Sequence, residues 1–458
     1  MPVRGLTTAL SDAKLVTVLF VSTFFDALHV GIGGLFNIRP SFVVAALAMP
    51  VLIYRWVTTR QPVHRTPIMV ALLGLSASFF VATAINWSSP MLFRGFVTCV
   101  LLVLNIAFFV VVYWYAHTGL RAQRLLDIVV GAAVAYSCFG IVTLILYQAG
   151  FPPARYLVEF RALGDWTMSG GSQSTPRPWF LEPNIGSYLA AIGVMAFARA
   201  LTARRHQWRY GIATGVVLTG VLLTYSRGAW LGAVLGGGTV IALLIISGTT
   251  LVRLRPTAGL IAVLAAVLVV LSLAVPSVKT VLVARLMNIL NINEGTGRGR
   301  LMDWWRIAQD GLHRPILGHG ANAYQVLLPS PLVAENATVE IFHTSGVIGL
   351  AFYLAVTVLV AVRFLRMFHE GRNRAAAIVG IGGYVVLVVC SQMNPSFWGN
   401  MYWALFGLIA ALLAPGMAAD GAIGDREARD SSDRKSDAAV SLPSRKAQAE
   451  GPGLISTF

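Results

Sequence analysis

The sequence predicts an all-α polytopic membrane protein, and three observations support this fold class. Of the 458 residues, 56% are hydrophobic and only 12% are charged, about half the charged fraction of a soluble globular protein. The mean hydropathy is +0.71. Apolar runs of about 20 residues, long enough to cross a ~30 Å hydrocarbon core, recur along the chain. Helices suit these runs because a helix pairs its own backbone polar groups in lipid.

The apolar runs predict about twelve transmembrane helices. They cover residues 15–36, 40–57, 67–85, 95–116, 125–148, 183–202, 209–226, 228–247, 257–275, 345–367, 375–393 and 397–416. Two long outer loops, 149–182 and 276–344, interrupt them, and the larger loop separates spans 9 and 10. We therefore predict one transmembrane domain over residues 1–416, including both loops, and a disordered cytoplasmic tail over residues 417–458, which are polar and nearly free of aromatics.

The arginines divide the short loops into two sides. If the N-terminus is cytoplasmic, the short outer loops carry only Arg39, Arg94 and Arg227. The inner loops and their edges carry Arg55, Arg60, Arg65, Arg121, Arg124, Arg199, Arg204, Arg205, Arg209, Arg253, Arg255, Arg363, Arg366, Arg372 and Arg374. This asymmetry follows the positive-inside rule and places both termini in the cytoplasm. The net charge of +16 then reflects membrane topology, and we predict no nucleic-acid partner.

Arg227 is the first candidate for a functional role. It is an isolated cation at the tight outer junction of two spans, in the stretch LLTYSRGAWLG. A forked, permanently charged guanidinium suits phosphate binding, whereas an arginine that snorkels to lipid headgroups would be the structural alternative.

The large outer loop supplies further candidates in GTGRGRLMDWWRIAQDGLHRPILGHG. Arg298 and Arg300 open a segment whose apolar residues recur at helical spacing, namely Leu301, Trp304, Trp305, Ala308 and Leu312. The pattern predicts an amphipathic helix that lies on the membrane face or caps a cavity. Its two arginines can form an anion site, and Trp304 can line the path of a sugar or lipid. Arg177, in the other long loop, is a weaker candidate, since a solvated loop charge explains it as well.

Glu335 is the candidate base, because it stands in the segment PLVAENATVEIFHTSGVIGL where the loop returns to the membrane. A carboxylate whose pKa is raised by partial burial can accept a proton from a hydroxyl nucleophile; a helix cap or a solvated acid is the alternative role. The outer histidines His313, His319 and His343 match no metal motif, and Cys99, Cys138 and Cys390 are dispersed in apolar runs. We therefore predict no metal and no cofactor.

Four stretches resemble the O-antigen ligase/polymerase superfamily of bacterial membrane glycosyltransferases. They are TYSRGAWLG (224–232), the series Arg300, Trp304, Pro315, Gly318 and Gly320, the segment ENATVEIFHTSGVIGL (335–350) and EPNIGSYLA (182–190). The resemblance implies a GT-C-like fold in the bacterial inner membrane, with the long loops in the periplasm. It also implies an undecaprenyl-pyrophosphate-linked glycan as donor, a glycan or lipid acceptor, and metal-independent transfer.

The resemblance also assigns roles to residues and partners. It implies pyrophosphate binding by Arg227 and Arg300. Beside these, Arg298, Asn336, Arg177 and Trp304 are our further substrate-binding candidates. Membrane lipids and polysaccharide export and chain-length proteins are the implied partners. Glu335 stands where the ligases carry a histidine, followed by the expected Asn336. This departure favours an exopolysaccharide or O-antigen polymerase, with a lipopolysaccharide ligase as the alternative. A lipid-linked glycan or solute transporter is the alternative from another class, although its ionisable residues would be expected at mid-membrane.

Overall fold

The computed structural model describes most of the chain. The described residues are 2–26, 30–32, 36–58, 66–87, 89–117, 119–154, 181, 183–203, 207–248, 266, 287, 296–328, 334–371 and 373–414. Apart from residue 266, the predicted ninth span lies outside these residues, as do the predicted tail, Arg177 and the side chain of Arg298.

The described part is built from helices with one small hairpin. The helices are α1 (Pro2–Ser22), α2 (Pro40–Thr58), α3 (Pro67–Ile85), α4 (Ser89–Ala116), α5 (Gly119–Gln148), α6 (Pro183–Thr202), α7 (Gln207–Leu223), α8 (Arg227–Ile246), α9 (Thr296–Gly311), α10 (Tyr324–Leu327), α11 (Ala337–His369), α12 (Arg374–Ser391) and α13 (Asn400–Leu412). Short 3₁₀ helices cover Thr23–Phe25 and Pro395–Trp398. Strands β1 (Val30–Ile32) and β2 (Phe36–Ile38) pair antiparallel, with Gly31 opposite Asn37.

Eight of the described helices are long and apolar enough to cross a membrane, namely α2–α6, α8, α11 and α12. The predicted all-α polytopic membrane fold is therefore confirmed. Their bounds follow the predicted spans closely; α3, for example, covers Pro67–Ile85. Two other predicted spans correspond to shorter helices, since α7 has 17 residues and α13 has 13.

The prediction is wrong for the second half of the first span. α1 ends at Ser22, and the chain continues through a 3₁₀ turn into the β1–β2 hairpin instead of remaining helical to residue 36. Glycines at 31, 33 and 34 each cost a helix about 1 kcal/mol relative to alanine. The Asp26 carboxylate accepts hydrogen bonds from the Ser41 amide at 3.0 Å and the Ser41 hydroxyl at 2.7 Å. This contact joins the end of α1 to the start of α2.

α9 confirms the predicted helix of the large loop, but it faces differently from the prediction. Ile307 and Gly311 are buried against α11, whereas Leu301, Trp305 and Leu312 from the predicted apolar stripe are exposed. The helix is therefore apolar on two sides. One side packs on α11, and the other presents Leu301 and Trp305 outward, as an interfacial helix does.

Helix packing in the membrane part depends on small residues. Gly232 and Gly236 lie one turn apart on α8, on the side that faces α12. A Cβ at Gly236 would lie 2.5 Å from Val386 Cγ2 and 2.9 Å from the Gly382 carbonyl oxygen. Close backbone approach of this kind is typical of packed transmembrane helices, where dispersion and interhelical contacts replace the hydrophobic effect.

The substitution Gly236→Leu is expected to destabilise the protein by about 1–3 kcal/mol, because overpacking forces α8 and α12 apart. The midpoint of thermal unfolding in detergent should fall measurably. Gly237→Leu is the matched control, because a Cβ at Gly237 meets open space. Equal midpoints for the two variants would contradict the assigned α8–α12 contact.

Candidate functional site

A turn after α12 connects three of the elements that carry predicted site residues. This 392–394 turn consists of Gln392, Met393 and Asn394. Arg300 Nη1 donates to the Met393 carbonyl at 3.4 Å, and the Asn336 amide donates to the Gln392 carbonyl at 3.1 Å. The Asn394 amide donates to Ser226 Oγ at 3.2 Å. The turn therefore joins α9, the start of α11 and the start of α8.

The sequence SQMNPSFW explains why α12 stops here. Pro395 has no amide proton and opens the 3₁₀ helix Pro395–Trp398. The residue before a proline is pushed into extended backbone, and Asn394 has φ −145° and ψ 151°. Its amide nitrogen still bonds to the Cys390 carbonyl at 2.9 Å. The carbonyls of Gln392 and Met393 are thereby left to accept side-chain donors from other elements.

The Arg227 junction packs directly against this turn. Ser226 caps α8 by accepting a hydrogen bond from the Ala229 amide at 3.3 Å, and Arg227 is the first helical residue and is half-buried. A Cβ at Gly228 would lie 2.9 Å from Met393 Cβ and 3.1 Å from Asn394 Nδ2. The serine and the glycine of the Ser-Arg-Gly motif thus have structural roles, as a helix cap and as a site of close packing. The arginine also stands at a helix N-terminus, where the backbone dipole favours anions.

Arg300 and Glu335 form an ion pair. The Arg300 Nε contacts Glu335 Oε2, and 38% of the arginine side chain and 21% of the carboxylate side chain are exposed. From the sequence, Arg300 and Glu335 were two separate candidates in different halves of the large loop. The structure brings them into contact.

Burial raises the pKa of the Glu335 carboxyl above its ordinary value, and this is the largest effect on it. The positive charge and hydrogen bond of Arg300 act in the opposite direction, while the nearby Asp303 carboxylate raises the pKa further. The net direction is upward. A carboxylate with a raised pKa is a stronger base than an ordinary glutamate, and that is the property required for deprotonating a hydroxyl.

Asn336 caps helix α11. Its side-chain oxygen accepts from the Val339 amide at 3.0 Å, and its side-chain nitrogen donates to the Gln392 carbonyl. Both ends of the amide are therefore engaged in structural contacts. Its predicted role in substrate binding stays a prediction.

Trp304 lies one turn after Arg300 on α9 and is half-buried. Its indole Nε1 is buried and makes no hydrogen bond among the described residues. A buried indole N–H usually has a partner. The predicted role of Trp304 in substrate binding stays a prediction.

A buried acid that the sequence did not single out lies nearby. The Glu340 carboxylate accepts hydrogen bonds from Tyr324 Oη at 3.2 Å and Trp398 Nε1 at 2.7 Å. These contacts hold α10 and the Pro395–Trp398 turn against α11. The two donors lie 16 and 58 residues away in sequence, so no local pattern could have indicated the cluster.

Residues 212–354 match the family model described as O-antigen ligase. This segment is therefore similar to an O-antigen ligase domain. The matched segment contains Arg227, Arg300 and Glu335, and it confirms the resemblance to the O-antigen ligase/polymerase superfamily. The domain indicates a glycan-handling function of the ligase or polymerase type. No curated protein matches the chain.

The ligase domain match ends before the 392–394 turn. Three contacts of the site therefore come from a part of the chain that lies outside the matched segment. The only local signal for the turn is the Asn-Pro pair that ends α12. Nothing in the sequence indicates which side chains bond to it.

Two substitutions of Asn336 are expected to distinguish its capping contact with the Val339 amide from its contact with the Gln392 carbonyl. Asn336→Ala removes the helix cap and should lower the free energy of unfolding by about 1 kcal/mol. Asn336→Ser keeps a capping oxygen but is too short to reach Gln392, so it should cost less. Thermal unfolding of both variants in detergent tests this order. A serine variant as unstable as the alanine variant would argue against the capping role.

Proposed function

We propose that this protein is a polysaccharide polymerase that transfers a glycan from undecaprenyl pyrophosphate to an acceptor hydroxyl at the periplasmic face of the inner membrane. The single observation that carries the proposal is the contact between Arg300 and Glu335 beside the Arg227 junction. It combines cations for a pyrophosphate with a carboxylate for a hydroxyl. The ligase domain and the apolar helices support the same setting.

The arginines hold the leaving group. In this proposal Arg227 and Arg300 bind the pyrophosphate of the donor, with the first turn of α8 adding its backbone dipole. Negative charge increases on the pyrophosphate oxygens as the glycosidic bond breaks. Cations placed beforehand stabilise that charge without reorganising, and such electrostatic stabilisation is usually the largest contribution to catalysis.

Glu335 prepares the nucleophile. The acceptor hydroxyl oxygen attacks the anomeric carbon of the donor from the side opposite the pyrophosphate, so the reaction inverts the configuration. The new C–O bond forms as the bond from the anomeric carbon to the phosphate oxygen breaks, and that bonding pair leaves with the pyrophosphate. The hydroxyl proton passes to Glu335 and then to water. The step needs no metal ion at the reaction centre.

Charge distribution supports the orientation of the site. The arginine-rich short loops indicate a cytoplasmic side, with both termini there, and the ligase domain loop then lies in the periplasm. Trp305 and Leu301 on the outward side of α9 are exposed, which suits an interfacial helix beside a lipid-linked donor. Polysaccharide export and chain-length proteins are the proposed partners on that side.

The second candidate is an O-antigen ligase, which the family match by its description favours. It would use the same arginines but transfer a finished glycan once, to lipid A core or another acceptor. Glu335 in place of the histidine of the ligases is the observation in favour of polymerisation.

Reconstitution distinguishes these functions. Purified protein in liposomes with an undecaprenyl-pyrophosphate-linked repeat unit should release undecaprenyl pyrophosphate and form a ladder of products that lengthens with time. A single transfer to an added lipid acceptor would indicate a ligase. Movement of the donor across the bilayer without release of undecaprenyl pyrophosphate would indicate a transporter and overturn the proposal.

Arg227→Ala and Arg300→Ala are each expected to lower the transfer rate about 10²–10³-fold, as loss of one preorganised donor to developing charge does. Release of undecaprenyl pyrophosphate in liposomes is the measurement. Arg306→Ala is the matched control, because Arg306 is an exposed arginine on α9. Wild-type rates in both site variants, at normal protein levels, would exclude the arginine assignment.

Glu335→Gln should slow transfer about 10²–10⁴-fold, the usual contribution of a general base, while donor binding remains. The base acts only when ionised, so the wild-type rate should fall as the pH drops through the raised pKa of Glu335. The glutamine variant should lack that acidic limb. A pH–rate profile of both proteins tests the assignment, and an unchanged acidic limb in the variant would remove Glu335 as the base.

A further inference from the structure

Three polar side chains from distant elements meet behind the ligase domain site. Asp310 lies at the end of α9, His319 in the following loop and His343 on α11. His343 Nε2 lies 2.8 Å from Asp310 Oδ2, and His319 Nε2 lies 3.8 Å from the same oxygen. One donor atom from each of the three side chains lies within 4.8 Å of those of the other two.

Backbone contacts hold the three side chains in place. The His319 amide donates to the His343 carbonyl at 2.8 Å, and the Gly320 amide donates to the Thr344 carbonyl at 2.9 Å. Gly346 has φ 61° and kinks α11 at this point, where the Val347 amide donates to the Pro315 carbonyl at 2.8 Å. These backbone contacts bring the two histidines together, and His319 Nε2 also lies 2.9 Å from the Asp310 carbonyl oxygen.

Gly318 explains how the loop can approach so closely. It has φ 71°, and a Cβ there would overlap the Thr344 backbone. The Pro315, Gly318 and Gly320 series of the superfamily thus docks this loop on α11. The loop in turn places His319 beside His343.

Hydrogen bonding alone leaves this cluster incompletely satisfied. The His343 side chain is fully buried, and its Nδ1 has no hydrogen-bond partner among the described residues. The two imidazoles stack at 4.9 Å between centroids, with planes 20° apart. The Nε2 atoms of both imidazoles thus converge on Asp310, and this convergence is the geometry that a shared ion would use.

We propose that Asp310, His319 and His343 bind one divalent transition-metal ion, with Zn²⁺ the best fit. Zinc is bound by imidazole nitrogens and carboxylate oxygens at about 2.0–2.2 Å, which places tetrahedral ligand atoms roughly 3.3 Å apart. The separations of 2.8 and 3.8 Å from Asp310 Oδ2 lie on either side of that distance. Two nitrogen ligands disfavour Mg²⁺ and Ca²⁺, which prefer oxygen.

Water supplies the fourth ligand of this site. The Asp310 side chain is 20% exposed and the His319 side chain 10% exposed, whereas His343 is closed off. The ion and its water therefore enter from the side of Asp310. His313, whose Nδ1 lies 3.7 Å from Asp310 Oδ1, is 77% exposed and is not a ligand.

The proposal for this ion does not depend on the proposed glycan transfer. Asp310 follows Arg300 by ten residues on the same helix, which is about 15 Å at 1.5 Å per residue. The metal thus joins the C-terminal end of α9 to α11, while the Arg300–Glu335 pair joins the other end. Sequence spacing alone gave no sign of it, because the three ligands come from three elements.

Metal analysis of the full-length protein tests the site directly. Tag-free protein in detergent, treated with EDTA and dialysed, should take up one equivalent of Zn²⁺ by elemental analysis. Co²⁺ in its place should show visible d–d absorption that Zn²⁺ displaces. His319→Gln and Asp310→Asn should weaken binding beyond the ~10–100-fold cost of losing an outer-shell partner, and both keep the side chain near its original size.

His313→Ala is the matched control and should bind the ion as the wild type does. Zn²⁺ should also raise the thermal midpoint of the wild-type protein but not that of His319→Gln. Wild-type protein without stoichiometric metal or Co²⁺ absorption would overturn the proposal. So would equal binding in the wild type and both ligand variants. These measurements need no donor glycan, so their outcome is independent of the test of glycan transfer.

Discussion

The 392–394 turn is the constraint on which the site depends. Backbone carbonyls at a helix end lack donors within the helix, and here side chains from other elements supply them. Arg300 and Asn336 donate to two successive carbonyls, while the Asn394 side chain donates to Ser226. One turn therefore sets the relative positions of α8, α9 and α11, and any shift of the turn would move all three.

Opposing electrostatic effects act on Glu335. Partial burial disfavours its charge, and the adjacent Arg300 guanidinium favours it. Neither effect removes the other, so the carboxyl retains a raised pKa while its ionised form has a partner. Arginine suits this position because its delocalised charge is weakly hydrated and it has further N–H groups. The same guanidinium also reaches the Met393 carbonyl.

The two ends of α9 are held differently. At its N-terminal end the contact is an ion pair with the residue before the Asn336 cap. At its C-terminal end, Asp310 meets His343 while the glycine loop docks on the kink of α11. Between them Ile307 packs with Tyr324 and Ala334 in a small core separate from the membrane core. An amphipathic helix fixed at both ends is a rigid support for Arg300 and Trp304.

Much of the fold could be predicted from local pattern. Spans such as α3 and α6 follow directly from apolar runs and from prolines at their starts. The failure at the first span shows the limit, because hydropathy does not register the helix cost of Gly31, Gly33 and Gly34. The site was predicted as separate candidates. Arg227, Arg300 and Glu335 were candidates whose roles stay predictions, whereas no local pattern pointed to the 392–394 turn or to Glu340.

The sequence by itself determined the membrane class, the approximate positions of most helices and the choice of charged candidates, because these depend on composition and on periods of a few residues. Only the tertiary structure decided which groups meet. Arg300 bonds to a carbonyl 93 residues away and Asn394 to a serine 168 residues away. Such contacts form when helices pack and buried polar groups must find partners, and that requirement leaves no periodic trace in a single sequence.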